Sequence, residues 1–335
     1  MTGWTEDGIV KSWRALAARE AQEEWRLVSL VGIGNVTVMA GCHFPGGREA
    51  LIIGFPAGWL TKSVNLPDGR GFEASLIKGD PIFEGKDVVA LVRRPEGAFD
   101  IFGVMTVDLL HCLEAGKAKD PKSPVSGFLQ RLHEWQAFMS RGRRPLSVEA
   151  QAGLYGELMT LEILAEKLEG SKAFDAWKGP MRAAQDFHVG AGALEVKSTL
   201  SRNGFKARIN SIEQLDSELQ PMFLCTIRLS EKDNGISLNT LVNGLRERAH
   251  LVGRRRAFDA LVIMSGYFDE HSAHYDRPLA VEEVRIFRIN QDFPYLQRSN
   301  LPHAVTSTKY TLDLDSIKLP YIGFDMFFDE MGIAA

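Results

Sequence analysis

The stretch Gln185-Asp186-Phe187-His188-Val189-Gly190-Ala191-Gly192-Ala193-Leu194-Glu195-Val196-Lys197 determines how this sequence is interpreted. Polar and apolar residues alternate on both sides of Gly190-Ala191, which predicts two strands joined by a two-residue turn. A type II′ turn requires glycine at its first central position, and Gly190 occupies that place. We therefore expect Asp186 to lie directly opposite Glu195, with Lys197 on the same face.

The same register separates the polar side chains of this hairpin from its apolar ones. The residues expected on the opposite face are Phe187, Val189, Leu194 and Val196. A three-residue turn would place Asp186 and Glu195 apart, so the interpretation depends on the length of the turn.

Two carboxylates and a lysine at this spacing suit the chemistry of phosphate esters. Carboxylates about 5 Å apart repel one another unless a cation lies between them. Oxygen ligands suit Mg²⁺, which keeps several waters and accepts a substrate phosphate as a further ligand. A lysine adds positive charge beside a phosphate oxygen or the attacking water. The alternative is an ordinary surface Glu-x-Lys pair, because that tripeptide is common.

A long helix is predicted before the hairpin, with Ser147 as its N-cap and Gly170 at its end. Its apolar positions follow a three–four spacing at Leu154, Leu158, Leu161, Ala165 and Leu168. Glu157 lies beside this stripe, where a carboxylate is costly unless it is paired or bound to metal, although it could also extend to solvent. Gly153 and Gly156 weaken the helix, which suggests that another segment of backbone passes close to them.

The rest of the C-terminal half predicts a mixed sheet flanked by helices. Strands are expected at 185–189, 193–199, 205–210, 222–229, 259–267 and 284–289. A helix is expected at about 237–250. Within this region Gln214 follows Ser211 by three residues, which fits a capping box and equally fits a role near a bound metal.

The N-terminal half predicts a separate, β-rich α+β domain of unassigned role. A helix is expected over 10–30, strands over 31–105 and further helix over 106–140. The polar segment Arg141–Pro145 breaks helix and is the expected boundary. The predicted domains are therefore residues 1–140 and 141–335.

Several short motifs flank the hairpin in a fixed order. They are Gly153–Leu158, Trp177–Pro180, Asp186-Phe187, Leu194–Ser198 and Glu213–Leu215. Together they resemble the PD-(D/E)XK nuclease superfamily and, more narrowly, an uncharacterised bacterial family grouped with it and often found near restriction–modification genes. The resemblance covers about residues 150–220, and its superfamily motif is short. Gln185 stands where the superfamily name has proline, which other members also often lack.

The resemblance implies a restriction-endonuclease-like domain with metal ligands at Asp186 and Glu195. The Val196 carbonyl would be a third ligand, Lys197 the catalytic lysine, and Glu157 the acidic residue of the first core helix. It further implies an endonuclease that cleaves DNA with Mg²⁺ or Mn²⁺, in restriction or another defence against foreign DNA.

Charge suggests where such a DNA partner would bind. The net charge is −4, yet Lys and Arg outnumber Asp and Glu between residues 141 and 260. Arg254, Arg255, Arg256, Arg143 and Arg144 are candidates for contacts with phosphates, although charged runs are usually solvated surface. A restriction–modification protein and a second copy of this chain are further candidate partners.

Composition limits the class of protein. Apolar residues form 45% and charged residues 24% of the chain, as in ordinary globular proteins. No apolar run approaches the length of a membrane helix, and the three cysteines form neither a disulfide framework nor a zinc spacing, so we expect a cytoplasmic protein without a membrane partner. A catalytically silent nuclease fold that binds DNA or a partner, and a purely structural protein, are the competing hypotheses.

Overall fold

The computed structural model describes residues 6–18, 24–30, 32–60, 64–77, 85–115, 123–140, 144–181 and 183–333. The chain divides into two compact units, Met1–Arg143 and Arg144–Ala335. Both units combine helices with a sheet, so the fold class is mixed α and β. None of the described helices combines the length and apolar composition that a membrane-spanning segment requires.

The first unit contains an antiparallel sheet and three described helices. The strands are β1 (Trp25–Ser29), β2 (Thr37–His43), β3 (Arg48–Pro56), β4 (Phe72–Ile77) and β5 (Lys86–Arg93), and the helices are α1 (Glu6–Ala17), α2 (Phe99–Ala115) and α3 (Ser123–Ser140). The sheet has the order β1-β2-β3-β5-β4. Trp13 of α1 is buried and donates to the carbonyl of Ala50 on β3 at 2.8 Å, which holds the helix on the sheet.

Two sequence predictions for this unit are wrong in part. The helix expected over 10–30 ends at Ala17, and Trp25–Ser29 form a strand because Trp25 and Leu27 pack against the sheet. The strands expected as far as residue 105 end at Arg93, and helix α2 follows. This helix is apolar on most sides, so its periodicity could not distinguish a buried helix from a strand.

The second unit contains a four-stranded mixed sheet, which includes the hairpin, and a separate two-stranded ribbon. Its strands are β6 (Phe187–Val189), β7 (Gly192–Thr199), β8 (Lys206–Ile209), β9 (Met222–Ile236), β10 (Leu279–Ile289) and β11 (Tyr310–Asp313). Its helices are α4 (Val148–Lys167), α5 (Lys172–Ala176), α6 (Leu238–Leu251), α7 (Arg255–Met264) and α8 (Phe324–Glu330). The sheet order is β10-β9-β7-β6, in which β7 and β9 are parallel, while β8 pairs only with β11.

Both faces of this sheet are covered. On one face Phe187, Leu194 and Val196 join a core that includes residues of α4 and α6. On the other face Ala193 and Leu224 pack with residues of the β8–β11 ribbon. The candidate carboxylates therefore lie on a hairpin that is packed from both sides.

The strand predicted at 259–267 is wrong, because this segment forms α7 and the turn after it. The run Ala260–Ile263 is rich in β-branched and apolar residues, which favours a strand locally. In the fold Phe258 and Val262, four residues apart, are buried on one side of a helix. The ring of Phe258 lies 5.6 Å from that of Phe174 and 5.8 Å from that of Trp177. This tertiary packing outweighs the local preference.

Helix α4 has the cap that the sequence predicts and approaches β7 closely. The Ser147 side chain accepts from the Ala150 amide at 3.2 Å. A methyl group at Gly156 would lie 1.7 Å from Ser198 Oγ and 3.0 Å from Ser198 Cβ. Nothing lies within 4 Å of the same position at Gly153. Close packing is therefore present at Gly156, against the Ser198 side chain and not against backbone as predicted, and is absent at Gly153 among the described residues.

These two glycines make a matched test of the packing of α4. Gly156→Ala should lower the free energy of unfolding by about 1–3 kcal/mol, because the helix and β7 must move apart. Gly153→Ala should raise it by up to about 1 kcal/mol, because it only improves helix propensity. Urea unfolding of both variants measures the difference, and a Gly156→Ala protein as stable as Gly153→Ala would contradict the packing.

Candidate active site

The β6–β7 hairpin has the register that the two-residue turn predicts. Phe187 pairs with Leu194, His188 with Ala193 and Val189 with Gly192, which leaves Gly190 and Ala191 as the turn. Gly190 has a φ of 58°, the left-handed conformation that this turn requires. When the same register is continued by one residue, Asp186 lies opposite Glu195. The predicted two-residue turn and the pairing that follows from it are therefore confirmed.

Asp186 is held by hydrogen bonds from two segments. Its Oδ2 accepts from the Val196 amide of β7 at 2.8 Å. Its carbonyl accepts from the amides of Lys178 at 2.7 Å and Gly179 at 3.0 Å. The carboxylate therefore has a fixed position against the strand that carries Glu195 and Lys197.

Glu157 of α4 lies beside Asp186, on the other side of Gly179. A methyl group at Gly179 would lie 2.7 Å from Glu157 Oε2 and 2.8 Å from Asp186 Oδ1. The indole of Trp177 donates to Glu157 Oε2 at 2.9 Å. Glu157 therefore turns inward to the hairpin instead of extending to solvent, and only glycine fits between the two carboxylates.

Glu195 is the most enclosed carboxylate of the group, with 0% exposure. Its Oε1 pairs with the Lys197 ammonium and accepts from Gln214 Nε2 at 2.6 Å. Its Oε2 is buried and has no hydrogen-bond partner among the described residues. Among the described residues this buried oxygen therefore has no donor, which is costly.

Gln214 reaches Glu195 from a short 3-10 turn, Ile212–Gln214. Its Oε1 accepts from the Asn210 amide at 2.7 Å, so both ends of the amide are engaged. Ser211 makes no side-chain cap, and the reciprocal capping box considered from the sequence is therefore not formed. Gln214 instead orients the Glu195 carboxylate.

Burial raises the pKa values of all three carboxyl groups, and repulsion by a neighbouring carboxylate adds to the shift for Glu157 and Glu195. Burial and the charge of Asp186 raise the pKa of Glu157 to about 8 and hold the pKa of Glu195 well above its usual range. Burial also raises the pKa of Asp186, although Lys197 and the Val196 amide oppose the shift. Burial alone would lower the pKa of Lys197, but Glu195 and Asp186 outweigh it and raise that pKa. The cluster therefore favours any added positive charge.

The donor set fits a hard divalent cation. It offers carboxylate oxygens that repel one another, and one of them, Glu195 Oε2, lacks a partner. Over the described residues no three His, Cys, Asp or Glu side chains form a ready metal cage. Mg²⁺ does not require such a cage, because it is commonly held by one or two carboxylates together with waters and substrate phosphates.

The arginines considered for DNA contact are placed outside the hairpin. Arg254 pairs with Asp175 through two contacts of 2.7 and 3.0 Å, and Arg255 pairs with Asp259 at 2.7 Å. Arg144 is exposed. The side chain of Arg256, and Arg143 as a whole, lie outside the described residues.

Sequence reasoning assigned no role to two residues that shape the site. Trp177 supplies the donor to Glu157, and Gly179 provides the space between Glu157 and Asp186. Both belong to Trp177–Pro180, a motif that only the resemblance to the nuclease superfamily connects with the hairpin. An indole and a glycine flanking a predicted acidic site are the signal that could have identified them.

The second unit thus combines a mixed sheet, helices on its face and a cluster of acidic groups beside a lysine. Comparison of the sequence with protein families gives a match over residues 9–315, to the family described as "Putative PD-(D/E)XK family member, (DUF4420)". The chain belongs to this family. No curated protein and no solved structure matches the chain.

The raised pKa of Glu157 predicts how stability depends on pH without divalent ions. The carboxyl titrates near 4.5 when unfolded and near 8 when folded, so between these values the folded protein binds the additional proton. Stability should therefore fall as the pH rises through this window. Glu157→Gln should flatten the decrease, whereas Glu169→Gln, at a side chain that is 94% exposed, should keep it. Urea unfolding in EDTA at several pH values measures this, and equal slopes in all three proteins would contradict the assigned cluster.

Proposed function

We propose that this protein is a metal-dependent endonuclease that hydrolyses DNA phosphodiester bonds, acting in restriction or another defence against foreign DNA. The main support is the buried Glu195 carboxylate, one oxygen of which contacts Lys197 and Gln214, while the other has no hydrogen-bond partner among the described residues. A purely structural protein has no need to bury such a group beside Asp186. Membership of the PD-(D/E)XK-related family supports the same conclusion.

Each residue of the cluster has a role in this proposal. Asp186, Glu195 and the Val196 carbonyl would hold Mg²⁺ or Mn²⁺. The bound ion would supply a Lewis acid and lower the pKa of an attacking water. Gln214 keeps the Glu195 carboxylate in position, and Trp177 does the same for Glu157.

Lys197 would act on the phosphate that is being cleaved. Its ammonium is mostly buried, with 17% side-chain exposure, and it stays charged because Glu195 and Asp186 raise its pKa. A fixed cation in a poorly solvated site stabilises the negative charge that develops on phosphate oxygens in the transition state. It contributes less to the binding of uncleaved DNA, because binding energy used only in the transition state does not raise ground-state affinity.

The first test of this proposal is plasmid nicking by the full chain with and without Mg²⁺. Lys197→Ala should lower the cleavage rate by about 10²–10³ and leave DNA affinity nearly unchanged. Lys172→Ala is the control, because this lysine is 69% exposed and its ammonium lies 4.0 Å from the Glu169 carboxylate, outside the cluster. If Lys197→Ala cleaves as fast as the parent, Lys197 is not catalytic. A parent protein that binds DNA and never nicks it would favour the catalytically silent fold.

A second test measures the binding of metal without DNA. A divalent ion that binds only the folded protein at about 100 times its Kd should stabilise it by about 2.7 kcal/mol. Asp186→Asn should remove most of this effect, and Asp233→Asn, an exposed carboxylate on β9, should not. Thermal melts in EDTA, Mg²⁺ and Mn²⁺ measure the shift. Melting temperatures that do not respond to either ion would contradict the proposed ligands.

A further inference from the structure

The β8–β11 ribbon presents a polar face to solvent. Lys206 pairs with Asp313 and Arg208 with Thr311, and partners in an antiparallel pair share a face. Along β8 the residues are alternately exposed and buried, so Lys206 and Arg208 point outward. The inner residues Ala207, Ile209 and Leu312 pack against the sheet. The orientation of the two cations is therefore fixed by a buried core on the reverse side.

These cations differ from most arginines of the same unit because no carboxylate of the described residues pairs with them. Carboxylates bind the guanidinium groups of Arg228, Arg246, Arg254, Arg255 and Arg285. Within the described part of the chain, Lys206 and Arg208 have neither an ion pair nor a side-chain hydrogen bond. Asp313, opposite Lys206, instead accepts from Ser316 Oγ at 2.9 Å and from the Asp315 amide at 3.3 Å.

The same face carries one more exposed cation, Lys309, directly before β11. Continued by one residue beyond Tyr310–Ile209, the pairing places Lys309 opposite Asn210, on the side of Arg208. The face then contains three cations and one carboxylate, and that carboxylate is engaged in a turn. We call the outward face formed by Lys206, Arg208 and Lys309 the basic ribbon.

The basic ribbon leads directly to the carboxylate cluster. Asn210 follows Arg208 by two residues on the exposed side, and its amide donates to Gln214 Oε1 at 2.7 Å. The other end of the Gln214 side chain donates to Glu195 Oε1 at 2.6 Å. Same-face positions of a strand are about 6.6 Å apart, so Arg208 and Lys206 follow Asn210 at about 7 and 13 Å. Arg208 and Lys206 therefore lie at increasing distance along β8 from the residue that is hydrogen-bonded to Gln214.

We propose that the basic ribbon binds the phosphate backbone of duplex DNA beside the scissile phosphate and sets the direction in which the duplex leaves the site. This inference rests on the proposed nuclease function and names a surface for its substrate. Cations without carboxylate partners can bind phosphates, and release counterions from the DNA, without first breaking an ion pair. Arg254 and Arg255 would first have to leave their carboxylates, so we do not expect them to contribute.

The test compares two double variants that change the net charge equally. One is Lys206→Gln with Arg208→Gln, and the other is Arg254→Gln with Arg255→Gln. Binding of a short fluorescent duplex is measured by anisotropy across a salt series, in EDTA and again in Ca²⁺. The ribbon variant should lower affinity at least tenfold at low salt and reduce the slope of log K against log salt by about two. The arginine variant should keep the parental slope.

The outcomes separate this inference from the nuclease proposal. A ribbon variant with the parental slope would overturn the basic ribbon, whatever the plasmid assay shows. A parent that binds no duplex would overturn it as well, and nicking by that parent would still support the nuclease. If the ribbon variant has the smaller slope of log K against log salt while the parent never nicks DNA, the basic ribbon is supported and the nuclease proposal fails. Because both replaced side chains are exposed, equal melting temperatures confirm that the variant is folded.

Discussion

The hydrogen bonds of Asp186 connect the segments from which the candidate site is built. Its carboxylate accepts from the Val196 amide, and its carbonyl accepts from the amides of Lys178 and Gly179. These contacts bring the loop before β6 against β7, and the loop in turn brings Trp177 to Glu157. Without them, neither the position of Glu157 nor the close packing at Gly179 would follow from the register of the hairpin.

This arrangement concentrates negative charge where solvent is largely excluded. Burial raises the pKa values of Glu157, Asp186 and Glu195, repulsion by neighbouring carboxylates adds to the shift for Glu157 and Glu195, and the ammonium of Lys197 opposes the shift in all three. The tight contact of α4 with β7 at Gly156 maintains the enclosure. The buried carboxylate cluster is therefore electrostatically unfavourable, and such clusters are common at sites that bind a cation. Outside the cluster, β8 and β11 keep the opposite charge exposed.

Local patterns predicted the elements whose side chains obey a simple period. The hairpin alternates at period two, and α4 carries a capped helical stripe, so the positions of Asp186, Glu195 and Lys197 followed from sequence. Local patterns failed where distant packing decides the structure. The segment that contains Trp25 is a strand because Trp25 packs on the sheet. The segment that contains Phe258 is a helix because Phe258 packs against the rings of Phe174 and Trp177. The pairing of Arg254 with Asp175 also could not be foreseen, because the two residues are far apart in sequence.

The polar contacts that the described residues make within the carboxylate cluster lie between residues 157 and 214, one continuous segment of the chain. The entropic cost of closing a loop rises only slowly with its length, and these loops are short to moderate. The parts of the site can therefore meet before the longer connection from β9 to β10 closes. Repulsion among the carboxylates opposes the meeting, so a counter-ion present during folding would act on the rate at which the chain becomes compact as well as on the finished protein.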